Sequence, residues 1–180
     1  LGIGLRAVEE DIAVGRYRDR PYDSRLAQEW HARVFSNVRD HAGRLREPGF
    51  GPEHLVFGTR RSVGSREVER AMRDLEGLVR RRDAEARDSI ERSDPNAELR
   101  IMEFALEVQV ELVRIHPFCD GNGRTARTLT NYFLVRHGLR SVPLERPKGE
   151  YIGCLDAWFR GDRQPLLEFY WQCYPAADSP

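Results

Sequence analysis

The sequence has few cysteines, a single lysine and no long apolar run. Its 180 residues include three cysteines, and 28 of the 29 basic residues are arginine. The cysteines form no CxxC pair and cannot all pair within one chain, which favours a reducing compartment. No apolar run reaches the roughly 18 residues needed to cross a membrane. We therefore expect one domain without a membrane segment, stabilised by its core rather than by disulfides.

The balance of charge excludes a class of partners. There are 29 acidic and 29 basic residues, so the formal net charge is zero. No overall field draws such a chain to nucleic acid or to an anionic membrane, and we expect neither as a partner. No signal peptide is present, and a start at Leu1 rather than Met predicts an excerpt of a longer chain. The expected location is the cytoplasm, or a host cytoplasm if the protein is a delivered effector.

Apolar residues at helical spacing predict six to eight helices. The run from Leu99 to Ile115 is apolar on well over half its surface, which predicts a buried central helix. A second helix is expected from Gly123 to His137, ended by Gly138. The short β-prone run Glu53 to Phe57, bounded by proline and glycine, predicts a small hairpin or flap. The predicted class is all-α with one β-hairpin.

Weaker signals place the other elements. Asp23 is predicted to cap a helix whose apolar stripe extends to Val38. The charge-dense segment Arg80–Ser93 is predicted to be a solvated loop, and Asp94 with Pro95 to start the central helix. Further predicted segments are Leu1–Arg20 (weakly helical), Ser141–Leu144 (extended), Glu150–Phe159 (helix) and a last helix that Pro165 opens.

The stretch between the two most apolar helices carries the chemistry. Residues His116 to Arg127 read His-Pro-Phe-Cys-Asp-Gly-Asn-Gly-Arg-Thr-Ala-Arg. Gly121 and Gly123 lie at a helix start, where a close backbone approach and unpaired amides suit a phosphate. Arg124 and Arg127 are three residues apart on one helix face, where both guanidiniums can bind phosphate oxygens. The pattern predicts a phosphate-binding loop.

Two further residues give this loop reactive groups. Asp120 supplies a hard oxygen ligand for a Mg²⁺ ion that also takes phosphate oxygens. His116 is able to accept a proton near neutral pH, which suggests phosphoryl or nucleotidyl transfer to a hydroxyl. Each residue alone has a simpler interpretation: a histidine before proline commonly bonds a helix end, and Phe118 is expected to anchor the loop in the core. The combination within twelve residues favours a site.

The stretch His116 to Arg127 resembles the signature of Fic domains, His-Pro-Phe-x-(Asp/Glu)-Gly-Asn-(Gly/Lys)-Arg-x-x-Arg, and every fixed position matches. The segment His41 to Arg44 resembles the lead into the family's flap, and Asn131 and Tyr151 resemble positions near the nucleotide. The resemblance implies a Fic-type helical domain with a buried central helix, an anion-hole loop and a hairpin flap. The implied division is an N-terminal extension or lead-in helix (1–22), the Fic domain (23–174) and a tail (175–180).

The family implies adenylylation, in which AMP passes from ATP to a Tyr, Thr or Ser hydroxyl of a target protein. By position, His116 resembles the general base and Asp120 the Mg²⁺ ligand. Arg124 resembles a diphosphate contact, and Arg127 the arginine that reaches the γ-phosphate. The cofactors implied are ATP and Mg²⁺. The cofactor-binding residues implied are Phe118, Gly121, Asn122, Gly123, Arg124, Arg127, Asn131 and Tyr151.

The resemblance also bears on specificity. Kinase-type members carry Lys where this chain has Gly123, which favours nucleotidyl transfer. The flap, from about Pro52 to Thr59, would hold the target by main-chain pairing. The alternatives are a Fic variant that transfers another nucleotide or phosphate-containing group or removes AMP, and a nucleotide-binding module without turnover. The intact His116 argues against the module.

Restraint of the activity is expected to come from outside this sequence. Many Fic proteins carry an inhibitory helix of pattern (Ser/Thr)-x-x-x-Glu-(Gly/Asn), whose Glu pairs with the second arginine. The two partial matches here, Ser65 to Glu69 and Ser141 to Glu145, are each followed by Arg. We therefore expect the motif to be absent, and restraint to come from a preceding helix or a separate, antitoxin-like protein.

Overall fold

The structure is a computed structural model that describes residues 2–143 and 148–175. Within them the chain forms seven α-helices, one 3₁₀ turn and one two-stranded antiparallel hairpin. The predicted class, all-α with a small hairpin, is confirmed. The elements are α1 (Gly2–Ala13), α2 (Ser24–Phe35), β1 (Val56–Phe57), β2 (Arg60–Arg61), the 3₁₀ turn (Ser65–Glu67), α3 (Val68–Glu91), α4 (Ala97–Ile115), α5 (Asn122–Arg136), α6 (Lys148–Phe159) and α7 (Gln164–Cys173).

Helix α4 lies at the centre of the fold, as predicted. It packs against α3 on one side and α5 on the other, and α7 also contacts it. Two of its apolar stripes are buried, so its side chains meet neighbours in several directions. Burying each large aliphatic side chain contributes about 1.5–3 kcal/mol. The fully buried apolar residues are Met102, Ala105, Leu106, Val108, Leu112 and Ile115. This core fixes the helix end from which the loop at His116 begins.

Helix α3 includes most of a segment that was predicted to be a loop. The segment Arg80–Ser93, expected to be a solvated loop, instead forms the C-terminal half of α3, which ends at Glu91. Ala86 and Ser89 are buried on its inner face, and Arg82 Nε donates to Glu107 of α4 at 2.7 Å. The prediction was wrong because dense charge on the outer face obscured the small side chains that pack inward.

Two other helix ends differ from prediction. Helix α2 stops at Phe35, so Val38 lies beyond it and is 39% exposed rather than on the buried stripe. Helix α4 begins at Ala97 rather than at Pro95. Asp94 Oδ1 accepts the Asn96 N–H at 2.9 Å in the turn before it, so its side chain organises the turn instead of capping the helix.

The N-terminal helix, the segment after α5 and the C-terminal tail were also the subject of predictions. Helix α1 packs on α2 and α5, with Val8 and Ile12 buried. Ser141 to Pro143 have no regular structure, while Leu144 and Glu145 lie outside the described residues, as does the tail from 176 onward. The division of the chain at residues 22 and 174 stays a prediction.

A buried polar cluster joins four helices behind the loop. Gln109 of α4 is fully buried. Its Nε2 donates to the Tyr151 hydroxyl of α6 at 3.1 Å, and its Oε1 accepts from Thr130 Oγ1 of α5 at 2.5 Å and from the Tyr170 hydroxyl of α7. Burial raises the pKa of Tyr151 to about 12. Since a buried hydroxyl without a partner is costly, this cluster fixes how α6 and α7 dock on α4.

Replacing Gln109 should destabilise the fold. The change Gln109→Leu keeps the volume but leaves the Tyr151 and Tyr170 hydroxyls without their partner, and we expect the free energy of unfolding to fall by about 2–4 kcal/mol. Urea unfolding measures it. The matched control is Gln164→Leu at an exposed position, where the change should stay within about 0.5 kcal/mol. Equal stability of the Gln109 variant and the wild type would contradict this account.

Candidate active site

A cavity of about 700 Å³ lies where the loop between α4 and α5 meets the hairpin and α6. Its volume suits a ligand of nucleotide size. The hairpin residues Leu55 to Gly58 form one wall, and apolar side chains of α6 form another. Eight of the ten predicted site residues line it: His116, Asp120, Gly121, Asn122, Gly123, Arg124, Arg127 and Tyr151.

His116 is held in an unusual backbone conformation at the end of α4. Its φ of 51° and ψ of 60° are left-handed, which costs a non-glycine residue about 1–2 kcal/mol. Pro117 disfavours the right-handed helical region for the preceding residue, so α4 ends at Ile115 as predicted. The His116 N–H still donates to Leu112 O at 2.9 Å. The strained cap turns the imidazole out of the helix and into the cavity.

The tautomer of His116 follows from one hydrogen bond. Its Nδ1 lies 2.6 Å from Val113 O, and since a carbonyl oxygen only accepts, Nδ1 carries the hydrogen. Nε2 is then left with its lone pair. Burial lowers the pKa of His116 below its usual value; the Val113 bond opposes this shift, and the charge of Arg46 adds to it. The neutral imidazole required of a base is therefore favoured at neutral pH.

Arg46 fastens this loop to the hairpin. Its side chain is 1% exposed, and its guanidinium donates to six acceptors, five of them backbone carbonyl oxygens. The acceptors are Pro52 O (3.0 Å), Glu53 O (3.1 Å), Ser62 Oγ (3.1 Å), Val63 O (3.0 Å), Ile115 O (3.2 Å) and His116 O (2.8 Å). The Arg46 N–H also donates to Pro117 O at 2.7 Å. One side chain thus sets the position of the hairpin base relative to His116.

Gly121 allows the loop to turn into α5. Its φ is 77°, and a Cβ there would lie 2.4 Å from Phe35 Cζ and 3.2 Å from His31 Nε2. Neither the conformation nor the space admits a side chain. The carbonyl of Gly121 accepts the N–H groups of Arg124 and Thr125. The earlier N–H groups of the first turn have no intrahelical acceptor, which leaves them available for an anion.

Both motif arginines line the cavity, and each lies against an aromatic ring. Arg124 Cζ is 4.7 Å from the ring centroid of Phe35, and Arg127 Cζ is 5.4 Å from that of Tyr151. Such stacking orients a guanidinium without neutralising its charge, so the charge is still able to attract a phosphate. Burial raises the pKa of Glu9 in α1, and the charge of Arg127 opposes that effect, so α1 lies within electrostatic range of Arg127.

Asp120 presents a partly exposed carboxylate at the same cavity. Oδ1 accepts the Gly121 N–H at 2.6 Å, and Oδ2 lies 3.3 Å from Arg39 Nη2. Although burial acts to raise it, the pKa of Asp120 is held below its usual value by the Gly121 bond and by Arg39 and Arg124. The group is therefore ionised at neutral pH.

The donor set fits a magnesium ion only in part. Residues 2–143 and 148–175 contain no group of three or more His, Cys, Asp or Glu side chains placed to hold a metal. Mg²⁺ commonly takes one or two carboxylates and completes its shell with water and phosphate oxygens. The side chain of Asp120 is 44% exposed, which is compatible with a metal held jointly with a bound nucleotide.

A buried histidine supports the loop from below. His31 Nδ1 accepts the Gly43 N–H at 2.8 Å, so its Nε2 carries the hydrogen and donates to Asp120 O at 2.9 Å. Its ring stacks on Phe118 with centroids 3.9 Å apart. Asn122 adds a clamp, because its side chain exchanges two hydrogen bonds with the Phe118 backbone, at 2.8 and 2.9 Å. These contacts hold the loop closed before any ligand binds.

Two predicted site residues lie away from the cavity wall. Phe118 is fully buried beneath the loop, where it serves as the expected core anchor. Asn131 exchanges two hydrogen bonds with the Val142 backbone, at 2.9 and 3.2 Å, and so ties α5 to the segment that follows it. A role in cofactor binding stays a prediction for both. Asn122 lines the cavity, but its side-chain amide is already bonded to the Phe118 backbone. Its backbone N–H is the group left to bind a ligand.

The flap is two residues longer than predicted. The expected segment ends at Thr59, whereas the second strand is Arg60–Arg61, paired with Val56–Phe57 around a turn at Gly58 and Thr59. Its tip lies against α6: Arg60 Nε is 3.9 Å from Asp156 Oδ1, and Arg60 Cζ is 4.7 Å from the Phe159 ring centroid. The hairpin is thus supported at both ends.

Sequence reasoning missed three residues that shape the site: Arg46, His31 and Phe57. Arg46 is one of 28 arginines, and nothing near it in sequence distinguishes it from those on the surface. His31 lies next to a predicted apolar helical stripe, and that position was the available signal for a buried histidine. The hydrogen-bond partners of Arg46 and His31 are between 6 and 89 residues away along the chain, so the fold brings them together.

Comparisons with known proteins place this site in a family. The model of the Fic/DOC family matches residues 21–134. The protein adenylyltransferase Fic of Nematostella vectensis is 41% identical over 73 residues, which are 40% of this chain and 17% of that protein. The matched stretch therefore spans less than a fifth of such relatives.

Solved structures show the same fold. A Fic domain containing signaling protein from Bacteroides thetaiotaomicron is 22% identical, with a TM-score of 0.69, and the match covers 95% of this chain and 65% of that one. BepC protein from Bartonella tribocorum, with bound AMPPNP, is 18% identical with a TM-score of 0.66, over 97% of this chain and 86% of that one.

Replacing Arg46 should loosen the hairpin and the loop together. The change Arg46→Lys keeps the charge but has three donors in place of the planar fork, so several carbonyl groups lose their partner. We expect the free energy of unfolding to fall by about 3–5 kcal/mol in urea titrations. The control is Arg44→Lys, where the exposed pair with Glu47 contributes about 1 kcal/mol or less. Similar effects of the two changes would show that Arg46 does not fix the position of the hairpin relative to the loop.

Proposed function

Because the chain belongs to the Fic/DOC family, we propose that it is a protein adenylyltransferase, which transfers AMP from ATP to a hydroxyl group of a target protein. Relatives named protein adenylyltransferase support a transferase type of reaction. The share of their length that is matched is small, so the donor, the group transferred and the target are part of the proposal.

One observation carries the proposal. A histidine with a free Nε2 lines the same cavity as a helix N-terminus and two arginines. The helix start and the guanidiniums provide an anion site for a polyphosphate. The imidazole provides a base for the incoming hydroxyl. Nucleotidyl transfer to a hydroxyl needs these two functions side by side.

The proposed reaction uses His116 for proton transfer. The target hydroxyl gives its proton to Nε2 while its oxygen forms a bond to the α-phosphorus of ATP. The bond from that phosphorus to the oxygen bridging the β-phosphate breaks, and diphosphate leaves with the electron pair. Arg124 and Arg127 offset the negative charge that builds on the departing phosphates. The Val113 bond to Nδ1 keeps the imidazole in the tautomer that this step requires.

Asp120 would hold the metal. Its ionised carboxylate would bind Mg²⁺ together with phosphate oxygens, and the ion, when bound, would neutralise part of the polyphosphate charge. The N–H of Gly121 and the cation of Arg39 keep the carboxylate ionised and oriented towards the cavity mouth.

The hairpin would position the target. Val56 is 70% exposed, and among residues 2–143 and 148–175 β1 pairs only with β2, on one edge. An extended segment of the target is able to pair with the free edge of the hairpin, which would bring its hydroxyl over the cavity. The partner is therefore a protein with an accessible extended segment.

Restraint is proposed to come from a separate protein that carries the Ser/Thr-x-x-x-Glu pattern, or from a helix that precedes the sequence. Glu69 is not placed to act as an internal brake, because its side chain is 81% exposed on α3 and does not line the cavity. Glu9 lies within electrostatic range of Arg127. The residue that follows it is Glu10 rather than the Gly or Asn of the family's inhibitory pattern.

We propose the cytoplasm, or the cytoplasm of a host, as the place of action.

No helix in the part of the chain that the structure describes has both the length and the apolar character that a bilayer crossing requires.

The position of the label in ATP tests the proposed reaction. Incubation of the chain and a cell lysate with Mg²⁺ and ATP labelled at the α-phosphate should label protein, and ATP labelled at the γ-phosphate should not. The reverse result would identify a phosphoryl transfer, and label from another nucleotide alone would identify a different donor. A chain that binds ATP but transfers neither label would be a binding module.

Replacing His116 should separate chemistry from binding. The change His116→Ala removes the base, and we expect the rate of AMP transfer to fall by about 10²–10⁴-fold. ATP binding, followed with a fluorescent ATP analogue, should stay close to wild type, because the imidazole contacts the hydroxyl and not the phosphates. Transfer at a near wild-type rate would mean that another group is the base.

Replacing Asp120 should raise the metal requirement. The change Asp120→Asn keeps the shape but removes the charge, and the Mg²⁺ concentration for half-maximal transfer should rise about tenfold or more. Asp40→Asn, an exposed acid outside the cavity lining, is the matched control. Full activity of the wild type in excess EDTA would contradict a metal-dependent mechanism.

A further inference from the structure

The hairpin places an aromatic ring directly on the imidazole of His116. The ring centroids of Phe57 and His116 are 4.5 Å apart, and the two planes are 5° from parallel. Both β1 residues line the cavity, but Phe57 is partly buried there, whereas its neighbour Val56 is 70% exposed. The contact joins the hairpin to the proposed base, and it is separate from the edge at which a target strand would pair.

The Phe57 ring is itself fixed from two sides. Arg46 holds the base of the hairpin to the backbone of residues 115 and 116. At the tip, Phe57 meets Phe159 of α6 with centroids 6.1 Å apart, and Arg60 lies between Phe159 and Asp156. Because the Phe57 ring is held in this way, it is able to restrict the movement of the His116 imidazole.

The two contacts of the imidazole are complementary. The bond from Nδ1 to Val113 O fixes one edge of the ring but leaves it free to tilt about that bond. The Phe57 ring covers a face and so limits the tilt. The Nε2 lone pair lies in the ring plane, so a stack on the face does not obstruct the approach of a hydroxyl to it.

We propose that Phe57 is a positioning residue for His116, which holds the imidazole plane so that Nε2 points at the incoming hydroxyl. The proposal rests on the proposed function insofar as His116 is the base. The contact itself is independent of which group is transferred.

The ring should also influence how His116 titrates. Burial is the main cause of its lowered pKa, and the Phe57 ring excludes water from one face. Without that ring, His116 should protonate at higher pH, and the acidic limb of the rate profile should move to higher pH with it. The charge of Arg46 also lowers this pKa, and the other charged groups around the cavity and hairpin are Arg60, Asp120, Arg124, Arg127 and Asp156.

The test compares two changes at Phe57 with one elsewhere. Phe57→Ala removes the ring, and kcat should fall by about 10- to 100-fold while the KM for ATP stays unchanged. Phe57→Tyr keeps a stacking ring and should restore kcat. The control is Phe50→Ala, which removes a ring that contacts a different histidine, His41, outside the cavity lining. Thermal unfolding of each variant verifies that the fold is retained.

A second measurement does not depend on activity. The chain has five histidines, and the resonance missing from the NMR spectrum of His116→Ala identifies the His116 ring. Its titration midpoint should rise in Phe57→Ala and stay near wild type in Phe57→Tyr and Phe50→Ala.

The two measurements separate the possible failures. An unchanged midpoint in Phe57→Ala overturns the positioning role; if kcat falls nonetheless, Phe57 acts on the target instead. If the wild type transfers no AMP, the proposed function fails, while the NMR titration still decides whether Phe57 controls the imidazole.

Discussion

The arrangement of the site depends on the buried guanidinium of Arg46. A positive charge removed from water is costly unless its donors are satisfied, and here six acceptors satisfy them. Those acceptors come from the two ends of the hairpin and from the end of α4. Because the charge cannot be left unpaired, the hairpin and the loop keep one relative position. The stack of Phe57 on His116 and the shape of the cavity both follow from that position.

The loop stores strain that its surroundings hold in place. His116 has a left-handed backbone between Ile115 and Pro117, and Gly121 has one beside Phe35. A residue such as His116 keeps this conformation only where neighbouring contacts determine it fully, whereas Gly121 adopts it without steric cost. His31 and Asn122 supply these contacts by bonding the loop backbone from beneath. The result is a site whose reactive imidazole, carboxylate and helix start are arranged before a nucleotide arrives, which lowers the reorganisation needed for reaction.

The cavity combines two kinds of surface. The loop side carries the charge of Asp120, Arg124 and Arg127, while the α6 side is apolar and backed by the buried cluster around Gln109. A nucleotide has the same division between a charged polyphosphate and a planar base. Tyr151 belongs to both sides, since its ring lies near Arg127 and its hydroxyl bonds Gln109. This correspondence supports a nucleotide as the ligand of the proposed reaction.

What the sequence alone determined is local. The apolar stripes of Leu99 to Ile115 predicted the buried central helix, and the run from His116 to Arg127 predicted a phosphate-binding loop. Each of these signals lies within a few turns of chain. Tertiary structure decided three other features. These are the helical conformation of the segment from Arg80 to Glu91, the second strand at Arg60–Arg61, and the roles of Arg46, His31 and Phe57. Their hydrogen bonds and stacking join residues far apart in sequence, and a single sequence has no periodicity or spacing that records such contacts.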